Sequence, residues 1–361
     1  MRAFLLLFLL ARCGDSGPSP AQAAPIEPIA APAEGAEAGD ASAAERLEER
    51  PVEAAIDAFF GEPDGPVLEA LRTEAVRRVR PGRGGRSLAF RITLESGREA
   101  YFKPEQNFSG AHWYSEIAAY HLDRLLGFGR VAPVTGRTIC WRLLERAAEQ
   151  HPRASEIVLD DNGCARGALI AWIDGPLRGW PLGEGWEHFV RVEGNLEISP
   201  FQRPADYRAQ VSGRLLREET ELGGYPPAPE TLTTEERAQL SDLIVFDFLI
   251  SNVDRWGGSY TNVRRRGSEQ LVFLDQGAGF WPGARLGLMD ARLRALQQIR
   301  PATEAALRRF DLAAYQARLE SDPLAPVLNE RRLVALAARV EAALEHIEDL
   351  RERFGDAIEL R

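Results

Sequence analysis

Hydrophobic and polar positions change period several times along this chain, and each change marks an element. Leu88, Phe90, Ile92 and Leu94 alternate with other residues, the period of a strand. Glu95-Ser96-Gly97 breaks the alternation as a turn, and Ala100-Tyr101-Phe102-Lys103 follows as the second strand of a hairpin. From Trp113 to Leu126 the period lengthens: Tyr114, Ile117, Ala118, His121 and Leu125 recur at helical spacing, and Gly127 ends the helix. Arg130 to Pro200 reads as mixed strands and loops, apolar from Gly167 to Ile173, and residues 200–232 read as a long polar surface loop. Thr233 and Glu236 form a capping box that opens a buried helix running to Ile250. A short polar loop led by Asp254 comes next, then a turn through Arg264, Arg265, Arg266 and Gly267, then a short strand ending at Asp275. Ala291 to Gln298, Glu304 to Leu319 and Glu330 to Phe354 read as scaffold helices, the last with a stripe of Leu333, Leu336, Val340 and Leu344.

The N-terminal region follows other rules. Met1 to Leu10 is apolar with Arg2 near its start, too short to span a membrane, and reads as an export signal over residues 1–13. Leu10-Ala11-Arg12-Cys13 resembles a lipoprotein cleavage site with Cys13 as the lipid anchor, although Arg12 stands where a small residue is usual. Residues 14–50 are rich in Ala, Pro, Gly, Glu and Ser, cannot pack a core, and are expected to be a disordered tether.

Composition narrows the function classes. The chain has 361 residues, 45% apolar and 27% charged, with a net charge of -10, which argues against nucleic acid as the main partner. Arg77, Arg78, Arg80, Arg83 and Arg86 form a local basic run, either a solvated face or a contact patch. Beyond Cys13, Cys140 and Cys164 either pair in an oxidising compartment or stay as buried thiols. Lys103 is the single lysine. A chain that otherwise writes every positive side chain as Arg keeps Lys where a compact ammonium is required.

The candidate chemistry lies at the ends of apolar elements. Asp254 opens a loop after a buried helix, and Asp275 closes a strand and begins Asp275-Gln276-Gly277. Glu116 on the next helix is well placed to meet Lys103 from its strand, either as a surface salt bridge or as the pairing that positions ATP phosphates in kinases. Pro81-Gly82-Arg83-Gly84-Gly85-Arg86 reads as a hairpin turn whose amides could cover phosphates. Trp172, Trp180 and Trp186 read as core, with a nucleobase wall as the alternative. The five histidines show no H-E-x-x-H spacing, and no G-x-S-x-G elbow occurs.

Ser115 to Leu126 with Val131 to Arg137, then Phe246 to Arg255, then Val272 to Phe280, resemble in order the helix, catalytic segment and metal segment of the secretory-pathway atypical kinases, the Golgi casein kinase, xylosyl kinase and four-jointed type. The similarity spans roughly Ser87 to Arg309. It implies an α+β, two-lobed atypical protein-kinase-like fold: an N-lobe β-sheet plus helix over residues 51–172 and a mainly helical C-lobe over 173–361. It implies ATP with Mn²⁺ or Mg²⁺, and a protein or glycan hydroxyl as acceptor. Lys103 would contact the phosphates, Glu116 would hold Lys103, Asp254 would be catalytic, and Asp275 and Asn262 would take the metal. The chain departs from the family at Trp256-Gly257-Gly258, where His often follows the Asp-Arg pair, and at Gln276, where Asn is common. The family's several disulfides are mostly absent, and Asn262 comes later than the usual kinase spacing. A silent kinase-fold scaffold and an adenylyltransferase are the competing readings.

Overall fold

A computed structural model describes residues 57–82, 87–107, 110, 112–180, 182, 186–192, 231–252, 254–256, 262–267, 270–283 and 286–361. The expected signal, Cys13, the tether, residues 200–230 of the expected loop and Arg83 to Arg86 lie outside these residues. The chain opens with a ribbon of β1 (Ala58–Phe59) and β2 (Glu62–Pro63) and the helix α1 (Gly65–Thr73). Then come β3 (Val76–Pro81), β4 (Phe90–Leu94), β5 (Glu99–Pro104), α2 (Trp113–Leu126), β6 (Val134–Cys140), α3 (Trp141–Ala148) and β7 (Cys164–Ala171). The five strands from β3 to β7 form one antiparallel sheet in the order β3-β4-β5-β7-β6. Phe90 pairs with Phe102 and Lys103 with Ala168. Alternation therefore turns Phe90, Ile92 and Phe102 into a core with Leu71 of α1 and Leu144 of α3, and turns Lys103 to the opposite face.

The second lobe carries a small sheet and most of the helices. β8 (Leu177–Gly179), β9 (Val263–Arg266) and β10 (Gln270–Phe273) pair in the order β10-β9-β8. The helices are α4 (Thr234–Ile250), α5 (Leu286–Ala295), α6 (Pro301–Arg308), α7 (Leu312–Glu320) and α8 (Glu330–Phe354). α4 is buried at every position from Ala238 to Ile250, so it runs through the centre of the lobe rather than along its surface. Its capping box forms as expected, with the Glu236 amide donating to Thr233 Oγ1 at 3.2 Å and the Thr233 amide donating to Glu236 Oε2 at 2.9 Å. α2 joins the two lobes: its faces are buried against the sheet and against α6 and α7, and Gly127 ends it at φ 74°.

Several expectations needed correction. α3 was not foreseen in a stretch read as mixed strands and loops, and α1 lies where no helix was expected. The helix expected from Glu304 to Leu319 is two, because Asp311 accepts hydrogen bonds from the Ala313 and Ala314 amides and starts α7 afresh. The helix expected from Ala291 to Gln298 is α5, which ends at Ala295. Arg264 to Arg266 form strand β9 rather than a turn, and only Gly267 (φ 64°) turns the chain. Trp180 and Trp186 are core, but Trp172 is 39% exposed with the Arg91 guanidinium 4.1 Å over its ring. Cys140 and Cys164 sit opposite one another in the β6–β7 pair and form a disulfide.

Candidate active site

At the lobe junction β5, α2 and the turn after β10 converge on one ammonium. Lys103 Nζ donates to Glu116 Oε1 at 2.6 Å and to Asp275 Oδ1 at 2.7 Å. The same Glu116 oxygen accepts from the Gln276 amide at 2.9 Å. Glu116 is buried in the first turn of α2, where a carboxylate suits the helix dipole. Sheet, joining helix and second lobe are thus tied at a single carboxyl group. Burial pulls the Lys103 ammonium down, but Asp275 and Glu116 outweigh it and hold its pKa above the usual range. Lys103 in turn holds the Asp275 carboxyl below its usual value, against the opposing effect of burial.

Backbone conformation at this junction is unusual. Ser251 (φ 53°), Asp275 (φ 56°) and Phe280 (φ 57°) all occupy the left-handed region without being glycine. Such residues persist only where surrounding contacts over-determine them. Here the contacts are visible: the Gly277 carbonyl accepts from the His112 amide at 2.9 Å, and the Gly279 carbonyl from Ser115 Oγ at 3.1 Å. A β-carbon added to Gly277 would stand 3.7 Å from Asp275 Oδ1 and 3.8 Å from Glu116 Oε1. Both are ordinary contact distances, so Gly277 borders both carboxylates.

Asp254 lies in the loop after α4, with its residue exposed to solvent. Its amide donates to Asn252 Oδ1 at 3.3 Å, while Asn252 Nδ2 donates to the Asp275 carbonyl at 3.1 Å and to Gln276 Oε1 at 3.3 Å. Arg255, fully buried, forks between Asp247 at 3.1 Å and Gln276 Oε1 at 2.6 Å. Burial pushes the Asp247 carboxyl up, and Arg255 and the Trp256 indole oppose it. The Asp254 loop and the Asp275 turn are consequently cross-linked through Asn252, Arg255 and Gln276.

Four of the five expected site residues thus come together from four segments: Lys103 bonded to Glu116 and Asp275, and Asp254 linked to them through Asn252. Asn262 is half-buried just before β9. Among the described residues no hydrogen bond joins it to this cluster. Sequence reasoning missed Asn252, Arg255 and Gln276 as the struts, although polar groups at the ends of apolar runs were the available signal.

Fold and junction define the class: a two-lobed phosphotransferase of the kinase type. A profile described as Golgi casein kinase, C-terminal, Fam20 matches residues 64–167 and 229–357, more than half of the chain. The protein belongs to that family. It is 26% identical over 326 residues to human glycosaminoglycan xylosylkinase, covering 81% of this chain and 76% of the relative. It is 26% identical over 335 residues to the human extracellular serine/threonine protein kinase FAM20C, covering 80% of this chain and 55% of the relative. Among solved structures, the Golgi casein kinase with Mn/ADP bound superposes with a TM-score of 0.59 at 20% identity, covering 81% of this chain and 77% of that one.

Proposed function

We propose that this protein is an exported ATP-dependent kinase that transfers the γ-phosphate to a hydroxyl of a protein or glycan. The observation that carries the reading is the Lys103 ammonium held between Glu116 and Asp275, one carboxylate from each side of the lobe junction. Lys103 contacts the nucleotide's phosphates and Glu116 keeps it aimed. Asp254, exposed at the loop tip, orients the acceptor hydroxyl and takes its proton.

A divalent cation fits this site. Asp275 and Glu116 already hold one cation, the Lys103 ammonium, and Asp275, 45% exposed, presents a reachable carboxylate, the hard oxygen donor that suits Mn²⁺ or Mg²⁺. Asp275 would hold the metal, with Asn262 as a second ligand; a bound metal would neutralise charge on the phosphates. The relatives phosphorylate, by their names, a glycosaminoglycan xylose and protein Ser/Thr, and both acceptor classes remain within the proposal. Export is supported by the apolar N-terminal run and by the Cys140–Cys164 bond, which suits an oxidising compartment.

The test is transfer of labelled γ-phosphate from ATP with Mn²⁺ or Mg²⁺ to exported proteins and to a glycan pool, using the chain without residues 1–50. Label that requires both Asp254 and Asp275, and is lost in Asp254→Ala and Asp275→Ala, is the expected outcome. Label transferred from α-labelled ATP instead would make the protein an adenylyltransferase. Nucleotide binding without either transfer would make it a scaffold. Lys103→Arg is expected to lower kcat by about a hundredfold or more while leaving the melting temperature in place; full activity in that variant would remove the role given to Lys103.

A further inference from the structure

Asp254 is anchored before it by Asn252 and directly after it by the buried Arg255, and Trp256 follows, the last described residue before Gly257 and Gly258. The Trp256 indole is buried and stacks on Trp186, ring centres 5.3 Å apart and planes 10° apart. Arg292 of α5 adds its guanidinium, 4.4 Å from the Trp256 ring centre and 5.5 Å from that of Trp186. Beside Arg292 lies Glu187, 2% exposed, its Oε1 3.6 Å from Arg292 Nη1. Among the described residues no other side chain donates to either Glu187 oxygen at bonding distance. A buried carboxylate with so little solvation is unfavourable, and Arg292 is what offsets it.

We propose that Trp256 is the positioning residue that fixes Asp254, through its stack on Trp186 and Arg292, and that Glu187 sets how firmly Arg292 holds the stack. An aromatic pair closed by a guanidinium is a rigid base for a loop. Its neighbour two residues away then keeps one orientation toward the acceptor, and small displacements there are costly to rate. Glu187 makes the stack responsive to protons. Burial pushes its carboxyl up to about 7, with Arg292 opposing. The charged groups around it are Arg292 from α5, Asp247 from α4, which feels the same guanidinium, and the buried Arg191 four residues on. Above that value Glu187 is ionised and holds Arg292 against the rings; below it the hold is released and Asp254 loses its fixed aim.

This inference rests on the kinase reading, and the experiment separates the two. Hydrolysis of ATP with Mn²⁺ needs no identified acceptor, so kcat and KM are measured for it between about pH 5.5 and 8.5. ADP·Mn²⁺ affinity and melting temperature are measured alongside. Trp256→Leu is expected to lower kcat by about ten- to hundredfold with ADP·Mn²⁺ affinity within roughly twofold. Trp256→Phe, which restores a ring, is expected to recover most of the loss. Wild-type kcat should fall as pH drops through about 7, and Glu187→Gln should be low and flat over the same range. Glu187→Gln also decides the matter if Trp256→Leu fails to fold. Unchanged kcat in both Trp256 variants, a loss of ADP·Mn²⁺ affinity matching the loss of kcat, or a wild-type pH profile in Glu187→Gln would overturn the proposal while leaving the kinase reading intact. A wild-type chain that neither hydrolyses ATP nor transfers phosphate sinks both.

Discussion

At the scale of single residues, the junction depends on polar groups that have almost no alternative partners. Gln276 is fully buried, accepts from Arg255 and Asn252, and donates to the Phe273 carbonyl at 2.8 Å. Gln276→Ala removes the acceptor that Arg255 and Asn252 share, leaving Arg255 with Asp247 alone among the described residues, and should cost about 1–3 kcal/mol in urea unfolding. A loss below about 0.5 kcal/mol would mean that the strut carries no load. His121 is the reverse case, a buried ring whose nitrogens find no partner among the described residues. Burial, reinforced by Arg318, Arg72 and Arg124, lowers its pKa to about 3. A depressed pKa means the unfolded chain takes up the proton first, so this contribution to stability is present above about pH 6.5 and is lost as pH falls toward 3. The stability difference between wild type and His121→Leu should therefore shift by about 2–3 kcal/mol against wild type between pH 7 and pH 4; a constant difference would contradict this account.

At the scale of elements, legibility followed how local each signal was. The capping box of α4, the Gly127 stop of α2 and the β4–β5 hairpin are written within a few adjacent residues, and all three form where expected. Thr233→Ala should accordingly cost about 1 kcal/mol, measurable as a lower denaturation midpoint with an unchanged m-value. α1 was hidden because Gly65-Pro66 resembles a breaker, although proline at a helix start is tolerated, and because Asp64 serves Arg124 and Tyr120 rather than a cap. The division between α6 and α7 was hidden because the apolar stripe continues across it. Lys103, Glu116, Asp254 and Asp275 could be picked out from residue type and order. Asn252, Arg255 and Gln276 offered only polar residues at the ends of apolar runs, because the bonds that join the two segments, Asn252 to Asp275 and Arg255 to Gln276, form only when those segments meet. α4 shows the same limit at its far end, where Arg339 of α8 donates to the Leu249 carbonyl at 2.5 Å.

For the molecule as a whole, the sheet carries a covalent tie that the second lobe lacks among the described residues. The Cys140–Cys164 bond closes a span of 24 residues, worth about 3 kcal/mol by loop-closure entropy. Cys140→Ser with Cys164→Ser should lower stability by roughly that amount. The loss should be shared by the whole unit if the lobes unfold together, and confined to the sheet if they do not, which hydrogen exchange would distinguish. Lys103 has a consequence of a different kind. Being the single lysine, it is the only side-chain amine an acylating reagent can find. Its amine is half-buried and paired with two carboxylates, so the chain should resist lysine-directed cleavage and cross-linking, and any acyl group it does accept on a side chain would read directly on the occupancy of the lobe junction.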